Sequence, residues 1–356
     1  MIKLHQIVAE LRATFPEKVI REQFGISMVQ CAADYPDLIA LTADLMHATG
    51  MAPFGAKYPT RLINLGIAEQ NMTGVAAGLA LCGKLPVVCG YAAFTSLRAV
   101  EQAKIDCAYN EVKVILAGLS AGLSYGVGGP THQTYEDIAI MRAIPNMTVV
   151  VPSDAVQLDQ ALRACLNHQT AAPVYLRLGR GPEYSFNMPE DPFVIGIASR
   201  LRVGNDVSII ANGPMVFEAL LASDALAQQG ICASVINMHT VKPIDAQAVL
   251  REAAHCKVMI TVEEHNVMGG LGSAVLEVLR AGHHFPVECI GINDVYPPIG
   301  PTPELRTLLG LSAENIVDQA MRLLQETGHF FNSNPEAAHL KSNLQVSISS
   351  QKEPTA

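Results

Sequence analysis

From about residue 37 onward, short runs of β-branched and other apolar residues alternate with amphipathic segments of helical length. Residues 38–41, 86–90, 112–118, 147–151 and 173–178 read as strands, since near-continuous apolar runs bounded by turn residues suit a sheet buried on both faces. Residues 66–81, 95–109 and 155–166 read as helices between them. Strand, helix and strand in succession predict parallel βαβ units with helices on both faces. The segment 179–192 (GRGPEYSFNMPEDP), with three prolines and two glycines, interrupts the pattern as a linker does and places a boundary near residue 190. The alternation then resumes, with strands over 207–212, 232–237, 258–263 and 287–292 and helices over 214–228 and 272–281. The expected fold class is α/β, as two open, mainly parallel-sheet domains over residues 1–190 and 191–327. Residues 328–356, polar and poor in large apolar side chains, read as a disordered tail.

The composition narrows the classes of function. The chain has 356 residues, 49% hydrophobic and 16% charged, a globular composition that two domains of this size accommodate. A formal net charge of −9 disfavours a nucleic-acid partner, which needs clustered Lys and Arg. No leader and no long charge-free apolar run is read, so the expectation is a cytosolic protein without a membrane span. The eight cysteines lie in apolar stretches with no CxxC pair and read as small buried hydrophobes, not as disulfides or a zinc site.

Three stretches could carry chemistry, and each has an ordinary structural reading when taken alone. In Asn64-Leu65-Gly66-Ile67-Ala68-Glu69-Gln70-Asn71-Met72, Glu69 opens a Gly- and Ala-rich helix, where a carboxylate also suits the positive end of the helix dipole. In Cys89-Gly90-Tyr91-Ala92-Ala93-Phe94-Thr95, two aromatics leave a strand three residues apart, as a hydrophobic staple would. The Gly-rich loop 117–133 ends in Gly129-Pro130-Thr131-His132-Gln133; its glycines permit close approach to a ligand but suit any long loop. Their joint placement at the carboxyl ends of predicted parallel strands is what points to a ligand site.

That combination resembles the pyrimidine-binding domain of the transketolase-like thiamine-diphosphate enzymes, over about residues 15–325. GIAEQNM, the GPTHQ box followed by Tyr135-Glu136-Asp137, and Val262-Glu263-Glu264-His265-Asn266 with Gly269-Gly270-Leu271-Gly272 are most similar to the C-terminal subunits of split transketolases. The resemblance implies that Glu69 hydrogen-bonds N1′ of the cofactor's aminopyrimidine. There it favours the imino tautomer that takes the proton from C2 of the thiazolium. It implies that Tyr91 and Phe94 pack against the aminopyrimidine, with Leu97 in place of a third aromatic, and that Asp44 lies near the cofactor at the subunit interface; helix N-capping explains Asp44 equally well. It implies that His132 contacts the sugar, and that Arg21 and Arg180 bind a phosphate or similar anion, with Arg177 an adjacent alternative to Arg180.

Departures from the family pattern bear on substrate more than on cofactor: Ser120 stands for a second histidine, Gly128 for an aspartate facing a substrate hydroxyl, and Ala48 falls near a phosphate-contacting serine. The family holds the diphosphate and Mg²⁺ with a GDG motif, and the chain contains no GDG. The Gly269 to Gly272 run could cradle an anion but reads as structural. A partner N-terminal subunit bearing the diphosphate-binding domain and the Mg²⁺ ligands is therefore implied, in an α2β2 assembly. The expected activity is transfer of a two-carbon ketol unit from a ketose to an aldose, phosphorylated or bearing a similar anion. Alternatives are a 1-deoxyxylulose-5-phosphate synthase-like activity, a 2-oxo-acid dehydrogenase E1 β subunit, and a non-catalytic scaffold or regulatory paralogue. A nicotinamide oxidoreductase would need a complete GxGxxG after the first strand, which is missing.

Overall fold

The computed structural model describes residues 4–280 and 285–328. The tail expected over 328–356 lies, from residue 329, outside the described residues, as does the last residue of the helix expected over 272–281. Eight strands precede residue 190: β1 (Glu17–Val19), β2 (Leu38–Thr42), β3 (Leu62–Asn64), β4 (Leu85–Tyr91), β5 (Ile115–Leu119), β6 (Thr148–Val150), β7 (Val174–Arg177) and β8 (Pro182–Tyr184). Six follow: β9 (Ser199–Arg202), β10 (Val207–Ala211), β11 (Ala233–Asn237), β12 (Thr240–Lys242), β13 (Val258–Asn266) and β14 (Val287–Ile292).

The larger sheet has the order β12-β6-β7-β5-β4-β2-β3 and is parallel apart from β12, which pairs antiparallel with β6. The second sheet has the order β14-β13-β10-β11-β9, parallel apart from β9. Each strand read from an apolar run is present, and the reason is double-sided burial. In β4, Val87 and Cys89 enter the core shared with the helices Ile20–Asp34 and Ala155–Asn167, while Val88 enters the core on the opposite face with Met72 and Ala76. Because both faces are covered, no polar alternation survives in the sequence.

Four features differ from expectation. The helix expected from residue 66 begins at Glu69, because Gly66 takes a left-handed φ of 72° and Ala68 is not helical. The stretch expected as one helix over 95–109 contains two π-helical segments, Ala93–Arg98 and Ala103–Tyr109, around a single α turn. The segment 179–192 contains β8, which pairs with β1 and so ties the chain's start to the end of β7. Finally β12, from beyond residue 190, forms an edge of the larger sheet, so the two sheets are stitched together. Among the described residues no helix is long and apolar enough to cross a membrane.

Candidate functional site

The adjacent strands β7, β5, β4, β2 and β3 all run in one direction, and the residues singled out in the sequence follow their carboxyl ends. Arg180 follows β7, Ser120 follows β5, Tyr91 ends β4, Asp44 follows β2, and Glu69 opens the helix after β3. Open parallel sheets bind ligands along this edge.

Glu69 is 3% exposed, and its Oε2 has no hydrogen-bond partner among the described residues. The nearest cation is the exposed Arg98, whose Nε stands 4.0 Å away, beyond hydrogen-bonding reach. A buried carboxylate oxygen without a donor is costly and is kept where something else supplies the donor. Ser120, at φ 59° and fully buried, also has an unpaired hydroxyl.

Tyr91, Phe94 and His132 converge. Tyr91 and Phe94 lie 6.0 Å apart between ring centroids, and the His132 ring stands edge-on to both, at 5.9 and 5.6 Å. The π-helical turn after β4 helps aim Phe94 here, as such wide turns often do at functional sites. Tyr125, which sequence reasoning missed, joins the group: its ring is 5.4 Å from His132 and 5.7 Å from Tyr91. Arg180 completes it, donating from Nη1 to the Tyr91 hydroxyl at 2.6 Å and lying 4.2 Å over the Tyr125 ring. Arg21, on the helix Ile20–Asp34, donates its backbone N–H to the Arg180 carbonyl at 3.3 Å. Among the described residues, neither Arg21 nor Arg180 pairs with a carboxylate.

Arg177, the alternative to Arg180, has its guanidinium taken up within the chain. It is buried, pairs with Asp137 at 2.8 Å, and donates to the carbonyls of Thr134 and Glu264. Burial works against its charge, but Asp137, together with Tyr175 and Glu264, more than offsets this and raises the guanidinium further. Asp44 does not cap a helix. It is exposed, sits at φ 60°, and is held by Asn64, whose side chain accepts from its N–H at 3.0 Å and donates to its carboxylate at 3.3 Å. Leu97 is partly exposed beside the aromatic group's helix turn. The Gly269 to Gly272 run is filled by the chain itself: Glu263 accepts from the N–H groups of Leu271 and Gly272 at 2.7 and 2.9 Å.

The second sheet's domain braces the His132 loop. Glu264 accepts from the Leu123 N–H at 2.8 Å and pairs with Arg306, which also forks onto Glu183 of β8 at 2.7 and 3.0 Å. Gln133 donates to the carbonyls of Gly126 and Pro298, both at 3.1 Å. Burial pushes the Glu183 carboxyl up, although Arg306 pulls it down.

Comparison with known proteins gives this geometry a family. Residues 17–182 match "Transketolase, pyrimidine binding domain" and residues 196–316 match "Transketolase, C-terminal domain". The chain is 42% identical over 304 residues to the 6-deoxy-6-sulfo-D-fructose transketolase subunit of Clostridium sp. (strain MSTE9), covering 85% of this chain and 94% of that one. It is 39% identical over 311 residues to the 1-deoxy-D-xylulose-5-phosphate synthase of Thermomicrobium roseum, covering 86% of this chain but 49% of that enzyme. A solved structure described as "Split gene transketolase, inactive beta4 tetramer" superposes with a TM-score of 0.79 at 37% identity, covering 86% of this chain and 98% of that one. The chain thus belongs to the transketolase family, in the C-terminal-subunit form of its split members.

Proposed function

We propose that this chain supplies the cofactor-activating and substrate-facing side of a thiamine-diphosphate site that transfers a two-carbon ketol unit from a ketose to an aldose. The observation that carries the reading is Glu69: a buried carboxylate at a sheet's carboxyl edge, with one oxygen lacking any donor. The residues present fit an aminopyrimidine, since Oε2 can pair with a ring nitrogen and Tyr91 and Phe94 offer aromatic surface along the same sheet edge. When bound, the cofactor supplies a nucleophilic carbon and an electron sink. Glu69 holds or shares the proton at N1′. His132 hydrogen-bonds and orients the sugar, while Arg21 and Arg180 take its distal anion. Asp44, exposed at the end of β2, meets the cofactor where a second chain closes over this edge.

That second chain is an N-terminal subunit bearing the diphosphate- and Mg²⁺-binding residues, in a cytosolic α2β2 assembly. The division of this chain near residue 190 into a pyrimidine-binding and a C-terminal domain belongs to the same reading. A 2-oxo-acid donor, as in a 1-deoxyxylulose-5-phosphate synthase, is the second reading, favoured by Ser120 and Gly128 where transketolases carry histidine and aspartate. A scaffold role without catalysis gives no reason to retain a buried carboxylate at this edge with one oxygen lacking a hydrogen-bond donor.

The test is ketol transfer by this chain co-expressed with its diphosphate-domain partner, with Mg²⁺ and thiamine diphosphate. Transfer requires both chains, and Glu69→Ala lowers it by about 10²–10⁴-fold, the range for loss of a positioned proton-transfer group. Pyruvate decarboxylation without ketol transfer would select the second reading.

A further inference from the structure

Arg180, like Arg21 beside it, is a partly buried cation that meets no carboxylate among the described residues, whereas several other enclosed arginines are paired. Arg12 meets Glu218, Arg177 meets Asp137, Arg306 meets Glu183 and Glu264, and Arg61 donates to three backbone carbonyls. Arg180 instead gives one N–H to Tyr91 and lays its guanidinium 4.2 Å over the Tyr125 ring. With five N–H donors on a planar group, most of its donor capacity stays available in the plane while its face is covered.

We propose that Tyr125 determines specificity for a substrate carrying a distal tetrahedral anion, phosphate or sulfonate, by holding Arg180 in place to receive it. The proposal rests on the ketol-transfer reading for the identity of the substrate. A ring within about 6 Å of a guanidinium attracts it through the ring quadrupole without neutralising it, whereas a carboxylate partner would compete with the incoming anion. The same ring stands perpendicular to His132 at 5.4 Å and an 89° interplanar angle, so one side chain spaces the cation from the imidazole.

Gly128 is the other half of the device. A Cβ at position 128 would lie 2.9 Å from the Cβ of His132 and 3.0 Å from Cδ1 of Tyr125, so a side chain there would force His132 and the Tyr125 ring to shift. An acidic residue at 128 would displace the Tyr125 ring and bring a negative charge to the group that holds Arg180. The Tyr125 and Gly128 pair thus exchanges a carboxylate contact to the sugar for a firmer grip on its anionic end. Tyr125 is a positioning residue in this account, acting on the substrate through Arg180.

The test uses the assembled two-chain holoenzyme and compares kcat/KM for a phosphate-ended donor, a sulfonate-ended donor and the neutral ketose erythrulose. In Tyr125→Leu the preference for the anionic donors over erythrulose falls by about 3- to 30-fold, the range a desolvated cation–π contact supports, and it falls through KM more than kcat. Tyr125→Phe retains the preference, because the ring and not the hydroxyl carries the effect. The phosphate and sulfonate arms identify which anion the wild type takes. An equal loss for anionic and neutral donors in Tyr125→Leu, or no loss of preference, overturns the proposal. Calorimetric binding of the non-reacting arabinitol 5-phosphate and its sulfonate counterpart repeats the comparison without turnover. Unchanged affinity in Tyr125→Leu overturns the proposal there as well. A wild type that binds these anions but transfers no ketol unit would count against the ketol-transfer reading alone.

Discussion

Among the buried carboxylates beside helix starts, Glu263 and Glu69 are treated in opposite ways. Glu263, 1% exposed, points both oxygens into the N-terminus of the helix Leu271–Leu279 and receives two backbone N–H groups. Glu69, 3% exposed, opens the helix Glu69–Leu81 and leaves Oε2 without a donor. The two arginines at the end of β7 divide in the same way, Arg177 closed by Asp137 and Arg180 open. A satisfied polar network rigidifies a fold, while an unsatisfied one costs stability and marks a place where a ligand completes the hydrogen bonding. The Glu263 helix cap and the brace of Glu264, Arg306 and Glu183 belong to the first kind, and the edge of the larger sheet to the second.

Three substitutions sharpen this contrast, and the largest effect falls on activity. Glu69→Gln removes the activating carboxyl, so transfer falls by about 10²–10⁴-fold while the urea midpoint stays level or rises slightly, since strained polar sites trade stability for function. A clear loss of stability would mean that Glu69 is structural, like Glu263. Next is Arg306→Met, which leaves Glu264 and Glu183 buried without their cation and costs about 3–5 kcal/mol by denaturant unfolding. A cost under ~1 kcal/mol would show the brace to be unimportant. Smallest is Glu263→Gln, where the amide satisfies only part of the helix N-terminus. About 1–3 kcal/mol of stability is lost, and kcat falls no more than stability explains.

How much of this was legible in the sequence follows from which signals are local. The strands of the two sheets' interiors were readable because burial on both faces writes an apolar run. The edge strands β3 and β12 were not, since a short strand at a sheet edge leaves little apolar pattern and β12 owes its place to pairing across the two sheets. The π-helical turns after Tyr91 look like ordinary helix in sequence, although Thr95 and Ser96 bond back to the carbonyls of Tyr91 and Ala92. Glu69, Tyr91, Phe94, His132 and Arg180 are singled out by the resemblance to the family motif, and the fold brings them to one edge. Arg177 and Arg180 could not be separated without side-chain directions. Tyr125 was overlooked inside a glycine-rich loop, though an aromatic there, in a chain with 5% aromatics and no Trp, was a usable signal.

The central claim is that Glu69 of this chain activates a cofactor whose diphosphate is held by another. Exchange of the C2 proton of thiamine diphosphate with deuterium, followed by NMR in the assembled pair with Mg²⁺, tests it most directly. The account predicts exchange far faster than in free cofactor for the wild type, and a fall of about 10²–10⁴-fold in Glu69→Gln with cofactor still bound. Wild-type exchange in Glu69→Gln would contradict it.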